Sequence, residues 1–287
     1  MDTFHQIERM RNQVRRWQAA GEVVGFVPTM GNLHEGHLRL VRHARRVSDR
    51  VVVSVFVNPT QFGPGEDFDA YPRTLEADSE HLLAEGVDAL FAPTVNEVYP
   101  RGLDHLVTVH VPGLSDILCG AHRPGHFTGV ATVVCKLFGM VGPDLAVFGR
   151  KDYQQFQVIR RMVTDLNLPV EVIGSETARE QDGLALSSRN AYLEPAQRDT
   201  APALYRELHR IATALRGGER DFLQLEADGW KHLTQAGLAP DYVSIRLRDN
   251  LAEPVPDLPA SAFVVLAAAW LGRARLIDNI EVADLAS

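Results

Sequence analysis

The sequence predicts an α/β protein: a Rossmann-like domain on a parallel sheet, followed by a second, smaller α+β domain. Three observations carry this expectation. Between residues 23 and 173, short apolar β-type runs alternate with helix-length segments, the pattern of a parallel sheet with helices on both faces. Beyond Ser175 the order becomes two helices and then three strand candidates. The 287 residues also suit two cores better than one. The boundary is expected between residues 176 and 177, giving domains 1–176 and 177–287.

Thr3 with Gln6 reads as a capping box. It would open a helix with the stripe Phe4, Ile7, Val14 and Trp17, ending near Gly21. The run at 23–27 is a strand; a glycine- and histidine-bearing turn follows, then a helix over 38–44. Residues 51–57 are almost all apolar, as a strand buried on both faces should be. They end in the loop 58–63, and ligands bind at such strand ends in open α/β sheets. After a Gly- and Asp-rich stretch over 63–71, a helix is expected at 74–85, a short strand at 89–91 and another strand at 106–111. Residues 113–127 read mostly as loop, 130–141 as a buried helix and 145–148 as a strand. Asp152 with Gln155 fits a helix start, the helix reaching about 167, and 170–173 closes the series. In the second domain, a loop over 176–193 leads to helices at 195–216 and 220–235 and strands at 242–247, 262–268 and 275–280.

Composition excludes several classes. Hydrophobic residues make up 45% and charged residues 23%, an ordinary globular balance. No apolar run reaches the roughly 18 residues of a membrane span. Residues 1–17 are charged and amphipathic, so no secretory leader is expected. The two cysteines, Cys119 and Cys135, have no ligand-pair spacing, which suits a reducing cytoplasm. A net charge of −8 argues against nucleic acid as a partner. A chain this acidic that handles anions must gather its cations locally.

The richest stretch is Pro28-Thr29-Met30-Gly31-Asn32-Leu33-His34-Glu35-Gly36-His37. It lies between a strand and a helix, with His34 in the loop and His37 in the first helical turn. Two glycines allow close backbone approach, and the helix start offers N–H groups and a positive dipole end. That suits a phosphate, and two imidazoles beside it can hydrogen-bond its oxygens. His-x-x-His can also be half a zinc site. Zinc would want an uninterrupted helix through both residues and a third ligand, and Gly36 before His37 argues against such a helix.

These ten residues resemble the His-x-Gly-His turn of nucleotidyltransferases and class I aminoacyl-tRNA synthetases. In full they are similar to the pantothenate synthetase family. Further segments carry the resemblance along essentially the whole chain. They are Asn58-Pro59-Thr60-Gln61-Phe62 with Asp69-Ala70-Tyr71-Pro72-Arg73-Thr74; Arg123-Pro124-Gly125-His126-Phe127-Thr128-Gly129-Val130; and Phe148-Gly149-Arg150-Lys151-Asp152-Tyr153-Gln154-Gln155. Arg179-Glu180 with Asp182-Gly183-Leu184-Ala185-Leu186-Ser187-Ser188-Arg189-Asn190, and the ending Arg275-Leu276-Ile277-Asp278-Asn279-Ile280, complete it.

The resemblance implies a ligase that forms pantoyl adenylate and pyrophosphate from pantoate and ATP, with Mg2+ accompanying the ATP. The amine of β-alanine then displaces AMP. It implies ATP contacts by Met30, Gly31, His34, His37, Gly149, Lys151, Asp152, Ala178, Leu186, Ser187, Ser188 and Arg189. Pantoate contacts fall to Gln61, Gln155 and Arg123, a β-alanine contact to Gln61, and catalytic roles to His37, His34, Lys151 and Arg189. These types make chemical sense. Lys151 follows a strand end and a glycine, a good place for a phosphate-binding point charge. Ser187, Ser188 and Arg189 offer hydroxyls and a guanidinium to β- and γ-phosphates. Neutral amides hold a diol-like acid without quenching its carboxylate, with Phe62 and the 130–134 helix face as an apolar wall. The family also implies a homodimer joined through the first domain. Water would destroy the mixed anhydride, so the site is expected to close before chemistry, with the second domain, which carries Ser187 to Arg189, as the lid.

Six positions depart from the family pattern: Arg150 stands for Glu, Glu176 for Pro, Leu186 for Met and Leu247 for Asp, while Cys119 and His122 replace a Glu and an aromatic. Arg150 adds a cation beside Lys151. A nucleotidyltransferase acting on a phosphorylated acceptor would want more basic residues and would not need the two Gln-bearing loops. A nucleotide sensor without catalysis would have lost His34, His37 or Lys151, and all three are present. RNA binding is opposed by the acidic balance.

Overall fold

The computed structural model describes residues 1–63 and 68–283. Among them the chain forms two compact units, one of residues up to 150 with 155–176, the other of residues 151–154 with 177–283.

The first unit is a six-stranded, wholly parallel sheet. Its strands are β1 (Asp2–Phe4), β2 (Val24–Thr29), β3 (Arg50–Val55), β4 (Ala89–Phe91), β5 (Leu145–Gly149) and β6 (Glu171–Ser175), in the spatial order β1-β4-β3-β2-β5-β6. Helices α1 (Ile7–Ala19), α2 (Glu35–Val47), α3 (Leu75–Ala84), the short α4 (Val95–Val98) and α5 (Cys119–His122), α6 (His126–Val141) and α7 (Tyr153–Asp165) connect them. Side chains alternate across a strand, and β2 shows both faces covered. Val27 packs with Val41, Leu82 and Val147 of α2, α3 and β5. Its neighbour Phe26 meets Phe138 of α6 edge-on at 6.4 Å, and Phe138 meets Phe148 at 6.3 Å. The sheet grows from β2 toward β3 and β4 on one side and to β5 on the other, so the ends of β2 and β5 form the topological switch point where ligands bind in such sheets. The signature turn leaves β2 there, and Gly149 ends β5 there.

Two local expectations are corrected. Thr3 caps no helix: Asp2–Phe4 pairs with Ala89–Phe91 as an edge strand. The helix starts at Ile7, whose N–H donates to Glu97 Oε1 at 2.7 Å. The tertiary partner outcompetes the local box. Residues 106–111 form no strand. Two of the segment's N–H groups go to hydroxyls instead, Val109 to Thr132 Oγ1 at 2.9 Å and Val111 to Ser115 Oγ at 3.2 Å. Val107 is 90% exposed. As expected, no helix runs through both histidines: α2 begins at Glu35 and takes in Gly36 and His37, while His34 stays in extended backbone as the N-cap. The Gly- and Asp-rich stretch falls partly outside the described residues.

The second unit carries helices α8 (Pro195–Thr200), α9 (Ala203–Arg216) and α10 (Phe222–Gln235) and an antiparallel sheet of β7 (Ala239–Leu247), β8 (Phe263–Leu271) and β9 (Ala274–Glu281), with β8 in the middle. The expected first helix is broken at Ala201–Pro202, where proline cannot continue the hydrogen-bond ladder. Leu208, Ile211, Phe263 and Val265 lie at the centre of the core. Glu226 of α10 is sunk beside β7, where its Oε1 accepts the Ile245 N–H at 2.7 Å. Burial pushes its carboxyl up, against the help of that N–H and of Arg246.

A raised folded pKa means that this group's contribution is fully present below the unfolded pKa and lost as pH rises through the folded one. E226Q should therefore gain steadily on the parent chain as pH rises from about 4 to about 8. Thermal unfolding at the two pH values checks this, and a difference constant with pH contradicts it.

Candidate active site

The predicted residues divide between the two units. In the first, β2 delivers Thr29 to the strand end. Its Oγ1 accepts the Gly31 N–H at 3.1 Å and donates to the Ser54 carbonyl at 2.7 Å. Gly31 (φ 80°) and Asn32 (φ 52°) are both left-handed, so the chain turns sharply before α2. His34 is the N-cap and His37 the third helical residue.

The two histidines form a reciprocal capping box. His34 Nδ1 accepts the Gly36 N–H at 3.1 Å, and His37 Nδ1 accepts the His34 N–H at 3.4 Å. Each Nδ1 is thereby an acceptor, so in the neutral rings Nε2 bears the proton. The rings lie together, centroids 4.1 Å apart and tilted by 35°. The helix start thus presents two imidazole N–H donors where its dipole also favours an anion. Glu35, between them in sequence, is drawn off by Arg42 at 2.6 Å and Arg39 at 3.5 Å. These guanidiniums, Arg42 foremost, hold its carboxyl below the usual carboxylate range.

The Asn58–Gln61 loop stands at the end of β3. Buried Asn58 accepts the Tyr99 hydroxyl at 2.7 Å and donates to Gln61 Oε1 at 3.1 Å and to the Gly129 carbonyl at 3.3 Å. Gln61 Nε2 in turn points at Met30 Sδ, 3.0 Å away. The amide predicted for the acid is thus joined to the signature turn. Arg123 joins the same group through His126: Arg123 Nη1 lies 3.1 Å from His126 Nε2, and His126 Nδ1 lies 2.8 Å from the Gln61 carbonyl. Phe62 packs on Phe68 and Tyr71, with centroids 5.4 and 6.0 Å apart. Gln155 is half-buried on α7.

A Cβ on Gly129 would run into the Thr60 carbonyl oxygen. G129A should therefore push α6 off the Gln61 loop and cost about 1–3 kcal/mol. Urea unfolding reads that loss, and an unchanged midpoint would contradict the packing.

In the second unit, Lys151 and Ser187 line one cavity with Asn190, Tyr205 and Asp278. Lys151 Nζ lies 3.8 Å from Asp152 Oδ1, and the Lys151 carbonyl accepts Asn279 Nδ2 at 2.8 Å. Ala178 and Leu186 are paired through the backbone, the Leu186 N–H donating to the Ala178 carbonyl at 2.9 Å. Ser187 caps the 3-10 turn Ser188–Tyr192, its Oγ accepting the Arg189 N–H at 3.3 Å. Beneath them Arg179 grips buried Asp278 with two hydrogen bonds, of 2.6 and 2.9 Å.

Sequence reasoning missed Asn58, Tyr99, Asp278 and Asn279 as supports. Asn58, Asp278 and Asn279 lie inside quoted motifs and Tyr99 far from any, but nothing local shows which side chain each holds. The Arg150 guanidinium faces Glu176 at 3.9 Å, so two departures from the family pattern meet each other in the first unit. Among the described residues, no group of three or more His, Cys, Asp or Glu side chains is placed to hold a metal ion. No described helix is long and apolar enough to cross a membrane.

A family profile described as pantoate–β-alanine ligase matches residues 2–281. A pantothenate synthetase from Idiomarina loihiensis is 58% identical over 275 residues, covering 96% of this chain and 97% of the relative. One from Pseudomonas aeruginosa is 56% identical over 282 residues, covering 98% and 99%. Among solved structures, a pantothenate synthetase from Thermus thermophilus superposes with a TM-score of 0.90 at 49% identity, covering 98% of this chain and 99% of that one. A pantoate–β-alanine ligase from Francisella tularensis, complexed with β,γ-ATP and β-alanine, gives 0.81 at 32% identity, covering 98% and 97%.

Proposed function

The chain belongs to the pantoate–β-alanine ligase family, and from that membership we propose that it condenses pantoate and β-alanine to pantothenate at the expense of ATP, through an enzyme-bound pantoyl adenylate. The observation that carries the mechanism is the reciprocal His34–His37 cap at the sheet's switch point. In the first step a pantoate carboxylate oxygen bonds to the α-phosphorus, and the bond from that phosphorus to the bridging oxygen breaks as pyrophosphate leaves. Charge grows on the phosphate oxygens, and donors fixed beforehand are worth most there. The Nε2–H groups of His34 and His37 and the start of α2 are such donors. Gln61, held by Asn58, and Gln155 and Arg123 bind pantoate, with Gln61 also serving β-alanine.

Met30, Gly31, Gly149, Asp152, Ala178 and Leu186 are assigned to ATP by the same membership. Lys151, Ser187, Ser188 and Arg189 bring cation and hydroxyl donors to its phosphates. In the second step the amine nitrogen bonds to the acyl carbon, the acyl–oxygen bond breaks, AMP leaves and the amine gives up a proton. Mg2+ enters as part of the ATP substrate, carried by phosphates and water. In this reading, residues 1–176 form the binding domain, 177–287 the lid, and the working form is a cytoplasmic homodimer joined through the first domain.

Pantoate labelled with heavy oxygen in its carboxylate tests the route. The adenylate path puts one labelled oxygen into AMP and none into pyrophosphate. Label in inorganic phosphate or pyrophosphate, with none in AMP, would rule the path out.

A further inference from the structure

Asp78 sits on the first turn and a half of α3, far in sequence from the signature turn, and is only 2% exposed. Burying a carboxylate is costly unless its oxygens are matched by donors. Here two of the donors are backbone N–H groups of the signature turn itself. Oδ2 accepts the Asn32 N–H at 2.9 Å, and Oδ1 accepts the Leu33 N–H at 2.8 Å. The Thr74 hydroxyl adds a third bond to Oδ2 at 3.1 Å. The same oxygen lies so close to Gly31 that a Cβ there would stand 2.9 Å from it. The turn before His34 is therefore held from one side by a single carboxylate.

The helix that carries it is itself anchored. Leu82 is fully buried in the core shared with Val41 of α2. At the far end, Glu85 takes Arg42 of α2 in a fork of 2.5 and 2.9 Å. The α3 helix thus grips both the loop before α2 and the body of α2.

We propose that Asp78 is a positioning residue for the first chemical step, acting through the turn and the His34 N–H that set the direction of His37. The inference rests on the role given to those histidines above. In D78N one acceptor becomes a donor that faces a backbone N–H, so the turn must shift. Misplacing a reacting constellation by about 1 Å costs on the order of 100-fold. Single-turnover pyrophosphate release should therefore slow about 10- to 100-fold in D78N, in protein whose circular dichroism shows the fold intact.

A double-mutant cycle separates positioning from general weakening. If Asp78 acts through His37, the D78N/H37A enzyme should lie within about threefold of H37A alone. Multiplying losses, or a D78N burst within about threefold of the parent, would overturn the proposal. T74V removes one donor to the carboxylate without adding a mismatched group, and keeps the question answerable should D78N not fold. It should slow the burst about 3- to 10-fold and again fail to multiply with H37A. An H37A enzyme that keeps the full burst overturns the histidine assignment itself, an outcome distinct from multiplying losses.

Discussion

His37→Ala is expected to slow pyrophosphate formation about 100- to 1,000-fold while leaving the protein folded. The histidine offers one oriented N–H to developing charge, and a single donor of that kind is worth this much in a closed site. Its orientation is built in twice, by the His34 N–H on Nδ1 and by the neighbouring ring at 4.1 Å. Folding depends little on it, because α2 is held by Val41 and Ala44 in the core and by Arg42 on Glu85. Losing the cap contact should cost about 1 kcal/mol in urea unfolding. The kinetic signature matters as much as the size. A loss in kcat places the contact in the transition state, whereas a loss confined to KM would show uniform binding and contradict the assignment. H37Q, which keeps an N–H donor, should recover part of the rate.

Arg179→Met should destabilise the protein by about 3–5 kcal/mol. The guanidinium makes two bonds to Asp278, donates to the Gly183 and Asn279 carbonyls at 3.0 and 3.1 Å, and stacks 4.2 Å over Tyr205. Burial raises the Asp278 carboxyl, and Arg179 is the chief force opposing it. Without the arginine a buried carboxylate remains with only the charge of Lys151 and the Asn279 N–H to offset its burial. The folded pKa then climbs further, so the deficit should be smallest in acid and grow as pH rises through the carboxylate range. R179M/D278L, with both partners apolar, should regain much of the loss, since a buried pair costs far less to replace whole than to halve. A deficit under about 1 kcal/mol, or one independent of pH, would contradict this account. The variant should also slow catalysis, because Asn279 beside Asp278 holds the Lys151 carbonyl.

Much of this was legible in the chain. The sheet strands announce themselves because a strand buried on both faces must be apolar throughout, as 51–55 is apart from one small buried serine. The signature turn is legible because its glycines and histidines answer to backbone and phosphate chemistry within ten residues. What failed, failed through partners distant in sequence. Thr3 has a good local box but a better partner strand in 89–91. The 106–111 segment has strand-like alternation, yet its N–H groups find hydroxyls of Thr132 and Ser115 instead. Asp78 could not be picked out because a lone aspartate in a helix names no partner. Its meaning lies in N–H groups some 45 residues earlier. Arg150 and Glu176 look like separate departures until the structure sets them face to face.

The central claim is a first step that needs pantoate but not β-alanine. Single-turnover release of pyrophosphate from ATP, with pantoate present and β-alanine withheld, tests it most directly. A burst equal to the enzyme sites, which stalls and then yields AMP and pantothenate on addition of β-alanine, is the predicted result. Pyrophosphate that appears only after β-alanine is added would contradict it.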